Sequence, residues 1–78
     1  MSERSRLAWS CRRGMLELDL LLQGFVERGY DRLDEEQRAV FERLLECQDQ
    51  DLIEWLMERA EPDEKEFIPV IAAIRAAT

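Results

Sequence analysis

Gly14-Met15-Leu16-Glu17-Leu18-Asp19-Leu20-Leu21-Leu22-Gln23-Gly24-Phe25-Val26-Glu27-Arg28-Gly29 is the stretch whose reading decides the fold. Met15, Leu18, Leu22, Phe25 and Val26 recur mostly at steps of three and four, which lines them along one face of a helix. The pattern predicts a core helix from about Gly14 to Arg28, ended by Gly29 in the left-handed conformation common at helix C-termini.

Upstream, residues 3–13 form a weaker, basic helical candidate to which Leu7, Ala8 and Cys11 contribute an apolar stripe, with Trp9 off that stripe. Downstream, Tyr30-Asp31-Arg32-Leu33 leads to Asp34, an N-cap candidate with Gln37 three residues on, the spacing of a capping box. The helix that follows turns Val40, Phe41, Leu44 and Leu45 inward, keeps Glu35, Glu36, Arg38, Glu42 and Arg43 wet, and ends near Cys47. Gln48-Asp49-Gln50-Asp51 reads as a polar turn in which Asp49 caps a fourth helix carrying Leu52, Ile53, Trp55, Leu56 and Met57. Pro62 is expected to terminate it. Asp63 with Glu66 forms a second capping-box pattern before Phe67, Val70, Ile71 and Ile74. Pro69 then either kinks the last helix or forces it to begin near Ile68.

Five short helices with short connections make an all-α, compact bundle, and 78 residues suit one domain over residues 1–78. The composition agrees: 46% hydrophobic, 37% charged, with only three Gly and two Pro.

The net charge of −7 is unevenly spread, with four Arg against one Glu in residues 1–13 and fourteen acidic against five basic groups in residues 31–66. An acidic chain repels nucleic-acid phosphates and anionic lipid, so neither nucleic acid nor direct membrane insertion is expected. The N-terminus develops no long apolar run, which argues against a secretory signal or a membrane span, and Glu3 weakens a transit-peptide reading. The two cysteines, Cys11 and Cys47, lie far apart with no histidine in the chain, so no zinc set and no disulfide is expected. A reducing bacterial cytoplasm is the compartment this implies.

Catalytic classes fall in turn. Serine or cysteine hydrolysis needs an imidazole base, and there is none. Gly14, Gly24 and Gly29 are isolated and form no phosphate-cradling loop. Asp49-x-Asp51 lacks the further ligands and the glycine of a calcium loop, and helix capping explains it better. Glu35 and Glu36 sit on a solvated face where nothing tunes a general acid. No catalytic residue, no metal site and no bound cofactor are expected.

What composition leaves unexplained is Arg12-Arg13-Gly14-Met15-Leu16-Glu17-Leu18-Asp19. A glycine inside a helix costs about 1 kcal/mol against alanine, so Gly14 needs a backbone reason, such as a hinge, or a contact reason. Arg13 and Glu17 are four apart, yet Arg-before-Glu is the weaker order and contributes only about 0.3–0.5 kcal/mol. On a helical wheel Arg13, Glu17, Gly24, Leu16 and Leu20 fall opposite the core stripe. Two leucines beside a glycine and a charged pair have the composition of an interface, although the first or last helix of the bundle would cover the leucines equally well.

Trp9-Ser10-Cys11-Arg12-Arg13-Gly14-Met15-Leu16-Glu17-Leu18-Asp19, taken with Leu44-Leu45-Glu46-Cys47-Gln48-Asp49-Gln50-Asp51-Leu52-Ile53-Glu54-Trp55-Leu56, resembles the SdhE family of succinate dehydrogenase FAD assembly factors and its mitochondrial counterpart. The resemblance spans nearly the whole chain and rests on an RGxxE motif and a second motif at the family's usual separation. It implies a five-helix, non-enzymatic chaperone that binds the flavoprotein subunit of succinate dehydrogenase, and often of fumarate reductase, and promotes covalent attachment of FAD to that client. The chaperone would itself hold no FAD and would be monomeric when free. Arg13, Gly14 and Glu17 occupy the motif positions, with Arg6, Trp9, Arg12 and Leu16 as flanking contacts. The second motif is read as structural, with Leu45, Leu52, Trp55 and Leu56 in the bundle. An antitoxin-like partnership with a small membrane protein, a role also assigned to some members, is the alternative.

Overall fold

The computed structural model describes residues 3–77, with side chains from Ser5 onward; residues 1, 2 and 78 of the expected domain lie outside the described residues. Its elements are α1 (Glu3–Ser10), α2 (Leu16–Arg28), a 3₁₀ turn (Tyr30–Arg32), α3 (Glu35–Leu44), α4 (Asp49–Leu56) and α5 (Phe67–Ala76). The all-helical, five-helix reading therefore holds.

The decisive stretch forms the central element. Leu18, Leu22, Phe25 and Val26 of α2 are buried, as the periodicity requires, and Met15 packs against the same core. Glu17 and Asp19 in the first turn and Arg28 in the last complement the helix macrodipole. α5 packs across α2, α3 and α4, while α1 lies against α2. Phe25 and Tyr30 both meet the Phe41 ring in tilted pairs, at 5.1 and 5.7 Å between centroids, joining α2, the 3₁₀ turn and α3. Leu7 and Cys11 bring the weak first helix into this core. The Cα radius of gyration of 11.3 Å matches the about 11.5 Å of a compact chain of this length.

Two local sequence signals read correctly. Asp34 and Gln37 form the capping box: the Gln37 N–H donates to Asp34 Oδ1 at 2.8 Å and the Asp34 N–H to Gln37 Oε1 at 3.4 Å. Pro69 is the third residue of α5, so its missing N–H falls among the first-turn groups that have no intrahelical partner, and the later start replaces the kink.

Four expectations need correction. α2 begins at Leu16, because Gly14 adopts φ +85° and Met15 is extended. Gly29 is not left-handed, at φ −126°; it is glycine for want of space, since a Cβ there would stand 2.6 Å from the Phe25 ring. α4 ends at Leu56, well before Pro62. Glu58 takes the left-handed position at φ 61°, the Arg59 N–H donates to the Glu54 carbonyl at 2.8 Å, and the Glu58 N–H to that of Trp55 at 3.2 Å. That is a Schellman termination built without glycine. Finally, neither Asp49 nor Asp63 is a cap: α4 is preceded by Gln48 and α5 by Glu66, and neither makes a side-chain capping bond. The Glu64 and Glu66 carboxylates converge instead on the Arg43 guanidinium, and this bonding holds the Glu66 carboxyl below its usual range.

Candidate functional site

The corner between α1 and α2 is held by one side chain. The Arg13 guanidinium donates from Nε to Asp49 Oδ1 at 2.8 Å, from Nη1 to the Ser10 carbonyl at 2.9 Å and from Nη2 to the Cys47 carbonyl at 3.1 Å. Its backbone N–H donates to Asp19 Oδ1 at 2.7 Å. A single arginine thus satisfies the last carbonyl of α1, the α3–α4 connection and the first residue of α4, while the first turn of α2 holds its backbone. The planar, five-donor guanidinium suits this fan better than an ammonium would. The side chain of Arg13 is only 15% exposed and that of Asp49 34%, so solvent screens the pair incompletely.

This corrects two readings. Arg13 is off α2, so the helical Arg13–Glu17 pair does not form; Arg13 points inward to Asp49 and Glu17 outward. Asp49, read as a cap, is an anchor for Arg13 instead. The two sequence motifs, thirty-six residues apart, are thereby one structural unit.

Gly14 sits at the outer edge of this corner. It is exposed, and a Cβ built on it would meet nothing within 4 Å, so its positive φ is what demands glycine. Just beyond it, Leu16 is 73% and Leu20 63% exposed, so among the described residues no other helix covers them. The Glu17 carboxylate is exposed between them and takes part in no hydrogen bond or ion pair among the described residues. Trp9 is also open to solvent, with the Arg12 guanidinium over its ring at 5.4 Å. Arg6 reaches the other way and pairs with Glu42 of α3 at 3.3 Å. Gly24, placed by the wheel on the open face, is buried because the Arg28 guanidinium occupies the space its Cβ would take.

The thiols are separate and free. Burial pushes the Cys11 thiol up to about 11, and Cys47 is raised in the same direction, also chiefly by desolvation. Neither is tuned toward a reactive thiolate. Among the described residues no polar or charged residue is fully buried and no three Cys, Asp or Glu side chains gather as metal ligands. No helix there is long and apolar enough to cross a membrane. What the arrangement offers chemically is a preorganised contact edge: a glycine corner, an exposed carboxylate and exposed apolar side chains. Sequence reasoning missed Asp19 and Asp49 as supports of that edge, and Met57, 37% exposed, as the far wall of a groove beside α2.

Comparison with known proteins gives the following. The family profile described as "Flavinator of succinate dehydrogenase" matches residues 5–78. The FAD assembly factor SdhE of Legionella pneumophila (strain Paris) is 53% identical over 73 residues, covering 94% of this chain and 91% of that protein. The protein of the same description from Idiomarina loihiensis is 48% identical over 91% of this chain and 79% of its own length. That from Pseudomonas aeruginosa is 48% identical over 94% and 87%, respectively.

Proposed function

Given that the chain belongs to the family of flavinators of succinate dehydrogenase, we propose that it is an assembly chaperone that binds the flavoprotein subunit of that enzyme and promotes covalent attachment of FAD to it. The chain is not an enzyme and holds no FAD; the client performs the bond-forming chemistry. The flavoprotein subunit of fumarate reductase is a second client of the same kind. The chain works as a single 78-residue domain, monomeric when free, in the bacterial cytoplasm.

The observation that carries this reading is the exposed Glu17, unpaired among the described residues, beside a glycine corner that Arg13 fixes from within. Glu17 accepts charge-assisted hydrogen bonds from the client, which gain strength as the complex excludes water. Gly14 leaves the partner backbone free to come close, and Leu16 and Trp9 supply apolar area, flanked by Arg12 and Arg6. Arg13 acts one step removed: its guanidinium is occupied internally, so it positions the edge while Glu17 touches the client.

Reconstitution tests this. Apo flavoprotein subunit and FAD are incubated with and without the chain, and covalent flavin is read as fluorescence that survives denaturation. The expected result is faster covalent incorporation with the wild-type chain and none of that gain with Glu17→Ala at unchanged thermal stability. Equal incorporation with and without the chain would sink the proposal, and co-purification with a small membrane protein instead would favour the antitoxin-like reading.

A further inference from the structure

The outer face of α2 continues from the Glu17 edge as an open groove of about 560 Å³, floored by Leu20, Leu21 and Gly24 and walled by Met57 at the end of α4. Glu17 marks one end of it, and the adjacent Glu27 and Arg28 mark the other. Glu17 stands in the first turn of α2, without an ion pair among the described residues. Arg28 stands in the last turn, its guanidinium folded over Gly24, with Nε donating to the Ala77 carbonyl at 2.9 Å and Nη1 3.9 Å from the Glu27 carboxylate, a loose and exposed pair that a better-placed carboxylate can displace. The eleven residue steps from Glu17 to Arg28 span about 16 Å, or three helical turns.

We propose that this groove seats one helix of the flavoprotein client, about three turns long, running antiparallel to α2, with a basic residue opposite Glu17 and a carboxylate opposite Arg28. The inference rests on the client reading above and adds which surface is used, what secondary structure it takes and in which direction. The direction follows from electrostatics. Helices favour acidic side chains at their N-termini and basic ones at their C-termini, as α2 itself does. A partner helix obeying the same rule can set a basic residue against Glu17 only if its C-terminus lies at the N-terminus of α2. Antiparallel macrodipoles attract as well.

A second copy of this chain would match the same charge pattern. It would also press together two chains of net charge −7 and bury the carboxylate that the client needs, so the client is the occupant the charges favour.

The test uses the full chain and isolated apo flavoprotein subunit. A photo-cross-linking residue is placed at Leu20, the adducts are mapped by mass spectrometry, and affinities are measured for Leu20→Ser, Arg28→Glu and Glu17→Ala. The expected adduct lies on an apolar client helix whose C-terminal end carries Lys or Arg. Leu20→Ser and Arg28→Glu each weaken binding about tenfold, the loss of one buried apolar side chain or one complementary charge. Leu20 is largely exposed, so its replacement leaves the melting curve in place. Unchanged affinity in both groove variants while Glu17→Ala still abolishes binding would overturn the groove and leave the chaperone reading standing. No effect from any of the three would overturn both. Adducts to a second copy, with a dimer in sedimentation, or to a client segment running parallel to α2, would overturn the groove inference.

Discussion

Replacing Arg13 by alanine removes three hydrogen bonds at once, to Asp49, the Ser10 carbonyl and the Cys47 carbonyl, and leaves the backbone bond to Asp19 intact. Exposed ion pairs contribute about 0.2–1 kcal/mol, whereas breaking a fully buried pair costs about 3–5 kcal/mol. At 15% and 34% exposure the Arg13–Asp49 pair lies between these limits, and water can rehydrate the Asp49 carboxylate in part. The expected loss is about 2–3 kcal/mol for Arg13→Ala and about 1 kcal/mol for Asp49→Asn, which keeps a neutral acceptor. For a domain of this size each kcal/mol moves the midpoint by about 4–8 °C, so Arg13→Ala melts roughly 10–20 °C lower. Arg13→Lys falls between wild type and alanine, since an ammonium cannot reproduce the fan. Far-UV circular dichroism melts, with urea titrations as a second measure, read the effect. A loss under about 0.5 kcal/mol for Arg13→Ala would refute the claim that this side chain holds the corner.

Gly14→Ala meets open space but inherits a φ of +85°, so it destabilises by about 1–2 kcal/mol through the backbone alone, seen as a lower urea midpoint at unchanged slope. Glu58→Gly, at the left-handed position that ends α4, loses the exposed pair with Arg75 at 2.7 Å yet relieves the backbone, and its melting point rises by a few degrees, roughly the effect of 0.5–1 kcal/mol. Burial raises the Cys11 thiol from 9.0 to about 11, so the unfolded chain releases this proton first as pH rises. Its contribution is complete below about pH 9 and is lost by about pH 11, up to roughly 3 kcal/mol at about 1.4 kcal/mol per pH unit. Comparing alkaline melts of wild type and Cys11→Ala isolates it, because only the wild type carries that part of the slope.

How much of this was legible in the sequence depended on how far each signal reaches along the chain. The α2 stripe and the Asp34–Gln37 box were legible because their partners lie within a turn or two. Asp49 misled because a carboxylate ahead of an apolar run looks like a cap, while its actual partner stands thirty-six residues upstream. The end of α4 was invisible for another reason: a left-handed glutamate carries no compositional mark, and the conspicuous Pro62 drew the boundary too late. At the contact edge, Gly14, Leu16 and Glu17 stood out as residues that bundle packing did not need. That Arg13 faces inward required knowing where α4 lies.

The fan of bonds around Arg13 also bears on attempts to copy this edge in miniature. A synthetic peptide spanning residues 9–20 would carry the whole first motif, yet it would lack Asp49 and the Cys47 carbonyl and so leave the guanidinium with the Ser10 carbonyl alone of its three acceptors. Such a mimic would meet the entropy of ordering its corner at the moment of binding. A covalent staple between the Arg13 position and the residue four before it would have to take over the office that α4 performs in the folded chain.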